Sequence, residues 1–67
     1  MKLIITSHAR DKMHVEGISK EDVKKCIKRG AKFKQTNGLL AVHSYIRVAY
    51  KIIGKETYVI KTVMVEK

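Results

Sequence analysis

The side chains most able to do chemistry in this sequence are its cations. The chain has 67 residues, of which 15 are lysine or arginine and six are aspartate or glutamate, so its formal net charge is +9. Such an excess attracts polyanions and raises their association rates. Most of the cations are lysines, which suit phosphate contact better than bidentate recognition of bases. The candidate nucleic-acid contacts are Lys24, Lys25, Lys28, Arg29, Lys32, Lys34 and Lys61.

The same charge has two other interpretations. An acidic protein could be the partner, alone or together with a nucleic acid, or the lysines could serve only solubility. If about five of the cations contacted duplex phosphates, log affinity would fall against log salt with a slope near −0.9 per contact. The sequence leaves all three open.

The sequence gives little support for a metal site or for a glycine-rich loop that binds phosphate. His8 and His14 lie six positions apart and so do not share the helix face that a metal site would need. The four glycines are isolated, so no glycine-rich phosphate loop is present. The single cysteine, Cys26, falls on an apolar helix face, which indicates packing in a reducing cytoplasm. We therefore expect no metal, no cofactor and a cytoplasmic location.

Two short helices must position the basic residues of the first half. The first begins near Thr6 or Ser7 and ends at Gly17. Ser19 is a good N-cap for the second helix, and Gly30 is expected to end it in a left-handed conformation. The apolar face of the second helix consists of Val23, Cys26 and Ile27.

The rest of the chain has the pattern of strands. Leu3–Ile5 is a short apolar run with two β-branched residues, and Ala31–Thr36 alternates Phe33 and Gln35 with Lys32, Lys34 and Thr36 at period two. Asn37-Gly38 is a strong two-residue hairpin signal, since both residues tolerate positive φ.

The segment after this hairpin is ambiguous. Leu39–Ile53 is either one long bent strand or two strands broken near His43-Ser44, and a second turn at Gly54-Lys55 leads into a strand over Thr57–Val65. We predict a single α+β domain of residues 1–67: an N-terminal strand, two short helices, then a three- to four-stranded antiparallel-rich sheet with the helices on one face. The longest apolar run is too short to span a bilayer, so no membrane role is expected.

Several positions of the first half form a motif: His8-Ala9, Lys12-Met13, Ile18-Ser19, Val23, Ile27 and Gly30. This motif resembles a small prokaryotic family known as domain of unknown function 4258, and the closing strand resembles that family's as well. Such domains are similar to the RelE/ParE toxin superfamily, whose fold is a strand, two helices and an antiparallel sheet. Two positions depart from the usual pattern: Lys12 stands where the family often has arginine, and Glu16 where it often has a basic residue.

The resemblance implies a toxin-like function. Toxins of this superfamily include ribosome-dependent messenger-RNA endonucleases and gyrase poisons, each neutralised by a partner antitoxin. RNA cleavage needs a base for the ribose 2′-hydroxyl, an acid for the leaving oxygen and cations around the phosphate. The candidate cations are Arg47, Lys51 and Lys61, and the candidate bases are His43 and His8. Less conventional bases are Tyr50 and Tyr45, although all three tyrosines have the pattern of half-buried strand residues.

Two function classes therefore stay open. The first is a metal-independent endoribonuclease, in which Arg47 and Lys51 share one strand face. The second is a non-catalytic RNA- or DNA-binding or protein-interaction module of the same fold, in which His8 only ties the first helix to the sheet. The expected partners are RNA, including ribosome-bound messenger RNA, or DNA, and an acidic antitoxin-like protein. A homodimer could also form through the strand edge at Ala31–Thr36, although its lysines oppose indiscriminate pairing.

Overall fold

The computed structural model describes residues 1–66, which form two helices and one five-stranded sheet. The strand order is β1-β5-β4-β3-β2; β1 pairs with β5 in parallel, and all other neighbours are antiparallel. The predicted α+β class is confirmed, with four strands after the helices. The elements are β1 (Lys2–Ile5), α1 (Ser7–Glu16), α2 (Lys20–Arg29), β2 (Ala31–Gln35), β3 (Gly38–His43), β4 (Ile46–Ile53) and β5 (Thr57–Val65).

Both helices begin at a hydroxyl cap. The Thr6 hydroxyl accepts a bond from the Ala9 N–H at 3.1 Å, and Gly17 ends α1 in the left-handed conformation with φ 69°. In α2 the Ser19 hydroxyl accepts from the Asp22 N–H at 3.1 Å, while the Asp22 carboxylate accepts from the Ser19 N–H at 3.0 Å. The bond that the Ser19 N–H donates to this carboxylate lowers the pKa of Asp22. The predicted starts of both helices are confirmed.

The left-handed conformation predicted for Gly30 at the end of α2 is wrong. Its φ of −78° and ψ of 166° are extended, so the chain runs straight from the helix into β2 without a left-handed residue. A Cβ at this position would lie 2.4 Å from the Val42 carbonyl oxygen and 2.5 Å from the Cys26 carbonyl oxygen. Lack of space, and not a positive φ, accounts for this glycine.

The first hairpin turns one residue earlier than predicted. Gln35 pairs with Gly38, so the two loop residues are Thr36-Asn37, and Gly38 is the first residue of β3. A Cβ on Gly38 would lie 2.5 Å from the Tyr50 carbonyl oxygen of the neighbouring strand. The Asn37-Gly38 pair therefore correctly predicts a hairpin. Gly38, however, is needed because the neighbouring strand β4 leaves no space for a Cβ, and it is not a loop residue.

The ambiguous segment forms two strands. His43 pairs with Ile46, which leaves Ser44-Tyr45 as the loop, and Ser44 takes a positive φ of 57°. Tyr45 is 58% exposed in this turn, so its predicted half-buried position is wrong. The turn predicted at Gly54-Lys55 is confirmed between β4 and β5.

The core lies on one side of the sheet. Helix α1 packs against β5, and α2 packs against β3 and β4. Cys26 is fully buried there, its Sγ 3.4 Å from the Ala41 carbonyl oxygen, and burial raises the pKa of its thiol. The predicted packing role of Cys26 is confirmed. The core cluster consists of Ala9, Met13, Ile18, Val23, Cys26, Ile27, Ala41, Ile46, Val48, Tyr50, Ile60 and Val63.

Candidate functional site

The sheet has a covered face, which carries α1 and α2, and an open face on its other side. Successive side chains of a strand alternate between the two faces. Val48 and Tyr50 of β4 belong to the core and lie on the covered face. Arg47, Ala49 and Lys51 therefore lie on the open face, which agrees with the predicted grouping of this strand.

A β-bulge in β5 adds a further cation to the open face. Ala49 pairs with Thr62 and Tyr50 pairs with Ile60, so Lys61 is an extra residue opposite this step. The Lys61 ammonium reaches across β4 to the first hairpin, where it donates to the Asn37 carbonyl oxygen. Lys61 thus joins Arg47 and Lys51 on one surface.

Two of these three cations already have partners within the chain. The Arg47 guanidinium pairs with the Glu66 carboxylate, with 40% and 60% of the two side chains exposed. The Nε of Arg47 is buried and has no hydrogen-bond partner among residues 1–66. Lys61 is held at Asn37, whereas Lys51 is exposed.

The two candidate histidines lie apart. His8 is exposed at the start of α1, and its Nε2 lies 3.1 Å from the Thr62 hydroxyl, so it links the helix to the edge of the open face. His43 pairs with the core residue Ile46 and therefore lies on the covered face, opposite Arg47. The structure therefore does not bring His43 together with Arg47, Lys51 and Lys61.

The two tyrosine candidates differ in position. Tyr50 is 2% exposed, so its predicted half-buried position is wrong; it packs fully in the core, its ring centroid 5.8 Å from that of Tyr58. Burial raises the pKa of its hydroxyl. Tyr50 is therefore not placed to act beside Arg47. Tyr45 lies exposed in the loop between β3 and β4, where its carbonyl oxygen accepts from the N–H of Glu66, the partner of Arg47, at 2.8 Å.

A second basic surface runs along α2. Its members stand three, four, seven and eight residues after the acidic Glu21, which places them on one helix side, and they line a shallow groove together with Glu21. Glu21 is 3.7 Å from the Lys24 ammonium, and both are exposed enough for solvent to weaken the pair. The basic residues of this groove, named here the α2 stripe, are Lys24, Lys25, Lys28 and Arg29.

The two lysines of β2 differ from each other. The Lys32 ammonium donates to the Gly30 carbonyl oxygen at 2.9 Å and to the Lys28 carbonyl oxygen at 3.4 Å, so it satisfies carbonyls at the end of α2. Lys34 is exposed beside the first hairpin. The seven predicted nucleic-acid contacts thus fall on three surfaces: the α2 stripe, β2 and the open face.

The open face is largely apolar, which sequence reasoning missed. Phe33 is 52% exposed, Met64 38% and Ile4 44%, although all three are strand residues. Thr62 and Glu66, the partners of His8 and Arg47, were also missed. One signal was present: the apolar residues of the last strand change from spacing two to spacing three across Lys61-Thr62, the position of the bulge.

No helix of residues 1–66 is long and apolar enough to cross a membrane. No group of three histidine, cysteine, aspartate or glutamate side chains in that range is arranged to hold a metal ion.

Comparison with protein families agrees with the motif of the first half. A family model described as "Domain of unknown function (DUF4258)" matches residues 5–65, nearly the whole chain. The chain belongs to this family. In this DUF4258 domain the motif residues Ala9, Ile18 and Val23 are buried, and Lys12 lies 3.9 Å from Glu16 in an ion pair. No curated protein and no solved structure matches the chain.

Proposed function

We propose that this DUF4258 domain binds nucleic acid without sequence preference, through phosphate contacts made by the α2 stripe. The observation that carries the proposal is the arrangement of four cations along one side of a helix whose other side is fixed in the core. Such a helix presents its charges on a rigid support, so little order is lost when a phosphate backbone binds. Lysine supplies charge without base-specific geometry, which favours backbone contact.

The helix dipole accounts for only part of the stripe. Cations in the last turn stabilise a helix by roughly 0.3–1 kcal/mol, which gives Lys28 and Arg29 a structural reason to be there. Lys24 and Lys25 lie in the middle of α2, where the dipole has little effect. These two residues favour a binding role for the stripe.

Binding can be measured by fluorescence anisotropy with a labelled single-stranded RNA and a duplex DNA over a series of salt concentrations. If the four cations all contact phosphates, the log–log salt slope is about −3 for the single strand and about −3.5 for the duplex. The test variant replaces three stripe residues by glutamine: Lys24, Lys25 and Lys28. The matched control removes the same charge from exposed positions outside the stripe: Lys2, Arg10 and Lys55.

The stripe variant should bind at least roughly tenfold more weakly and lose about two units of salt slope, while the control changes affinity only by its general charge. Equal losses in the two variants would show that net charge alone attracts the nucleic acid. Absence of binding by the wild type at low salt would also refute the proposal. Circular dichroism of both variants checks that α2 remains folded.

A second candidate is a RelE/ParE-like endoribonuclease that acts on the open face. The specific observation in its favour is that Arg47, Lys51 and Lys61 share this face, with His8 at its edge through Thr62. It ranks second because Arg47 is paired with Glu66 and His43 lies on the covered face. The same RNA samples, incubated for hours and analysed for chain length, separate the candidates: cleavage by the wild type and not by Arg47→Ala would favour the enzyme.

A further inference from the structure

Strand β2 has a free edge. It is the last strand of the sheet, and no other strand of residues 1–66 pairs with its outer side. All five of its residues are exposed: α2 packs over β3 and β4 on the covered face, and the open face carries no helix. The unpaired N–H and C=O groups of such an edge are a template for another strand. This surface is separate from the α2 stripe, so the inference goes beyond the proposed function.

The two sides of β2 differ in chemistry. Lys32 and Lys34 pair with Ala41 and Leu39, so their side chains lie on the side of the covered face. Phe33 alternates with them and lies on the open face. An added strand would therefore meet ammonium groups on one side and an aromatic ring on the other.

Apolar surface continues inward from Phe33. Its pairing partner Leu40 and the neighbouring Val42 are half-buried on the open face. A side chain placed beside Phe33 would cover part of a ring that is 52% exposed. Apolar residues of an added strand would gain from this contact, since removing apolar area from water is favourable.

A second copy of the chain does not suit this edge. If two β2 strands paired antiparallel about Phe33, Lys32 of each copy would face Lys34 of the other, and like charges directly opposite are destabilising. A slip of one residue would instead place Phe33 on the lysine side. Each copy also carries a net charge of +9, so the copies repel each other. The charges favour an acidic partner.

We propose that the free edge of β2 binds an extended segment of an acidic protein as a sixth strand. Acidic side chains of that segment face Lys32 and Lys34, and the alternating apolar side chains lie beside Phe33. Main-chain hydrogen bonds to β2 supply affinity, and the alternation of acidic and apolar residues supplies specificity.

The probe is a synthetic peptide of about seven residues in which glutamate and valine alternate, as a strand of period two requires. Nuclear magnetic resonance of the labelled domain reports which amides shift on titration. Two control peptides accompany it: one with the same residues in two blocks, and one in which lysine replaces glutamate. The domain variants are Lys34→Glu and, as a matched charge reversal in the second turn, Lys55→Glu.

The alternating glutamate peptide should shift the amides of β2 and bind more tightly than either control peptide. Lys34→Glu should weaken this binding at least roughly fivefold and improve binding of the lysine peptide, whereas Lys55→Glu should do neither. Shifts confined to the α2 stripe, equal effects of the two reversals, or displacement of the bound peptide by RNA would overturn the proposal. A wild-type dimer that pairs through β2 in sedimentation and amide-protection measurements would overturn it as well.

Discussion

The covered face and the open face of the sheet are both rich in apolar side chains. Only on the covered face are these side chains buried by packing within the chain. On the covered face Val48, Ile60 and Val63 are fully buried beneath the helices. On the open face Phe33 and Met64 remain substantially in contact with water. One set is explained by folding, and the other is not.

The two faces also differ in their charged residues. The core cluster of the covered face contains no charged residue. The open face combines exposed apolar groups with Arg47, Lys51 and Lys61. A surface that mixes exposed apolar area with mainly positive charge is typical of an interaction site. The comparison therefore identifies the open face and its β2 edge as a candidate interaction surface in addition to the α2 stripe.

The largest expected effect comes from one substitution made on each face of β5. Val63 is fully buried on the covered face, and Val59 is half-buried on the open face. Val63→Ala should lower the free energy of unfolding by about 2 kcal/mol, because it removes buried methyl groups and leaves a cavity. Val59→Ala should lower it by less than about 1 kcal/mol. Urea unfolding of the two variants measures the difference.

Equal losses at Val63 and Val59 would contradict the distinction between the faces. They would mean that the open face is buried in solution, for example against another molecule. Repeating the measurement over a range of protein concentrations tests this directly, since burial between copies makes stability depend on concentration.

The second prediction uses the thiol on the covered face. Burial raises the pKa of Cys26 in the folded state, so the thiol ionises first in the unfolded chain, near pH 8.5. Its contribution to stability is complete below that pH and is lost as the pH rises toward the folded pKa. The slope is at most about 1.4 kcal/mol per pH unit. Urea unfolding between about pH 7 and about pH 9.5 should show this decline.

The matched variant for this measurement is Cys26→Ala, which has no thiol to ionise. Its unfolding free energy should fall less over the same pH interval. Parallel curves for wild type and variant would show that the thiol has the same pKa in both states and is not buried. Tyr50 is shifted in the same direction, but its phenol ionises at higher pH, above the chosen interval.

The fold was more predictable from the sequence than the candidate site. Ser19, Gly17 and the turn at Gly54 act through local chemistry, so their types and positions were enough to place elements correctly. Gly30 was misjudged because its neighbour Val42 is distant in sequence, and only the folded sheet brings that carbonyl within 2.4 Å of the Cβ position. Local rules do not describe such close approaches.

The candidate site on the open face could not be predicted fully, because pairing between distant strands brings its residues together or separates them. The face of Arg47 followed from alternation within β4, but its partner Glu66 comes from the end of β5. The separation of His43 from Arg47 required the register that places His43 beside Ile46. Alternation assigns faces within a strand, whereas assembly of a site needs the register between strands.

The smallest expected effect concerns the ion pair on the open face. Glu66→Gln should lower the free energy of unfolding by less than about 1 kcal/mol, because the Arg47 and Glu66 side chains are 40% and 60% exposed and solvent weakens their attraction. The same change removes the anion that competes with a phosphate for Arg47. If nucleic acid binds at the α2 stripe, RNA affinity should increase only slightly, through net charge. An increase several times larger than that of Glu56→Gln, a matched change in the exposed second turn, would instead assign phosphate contact to the open face.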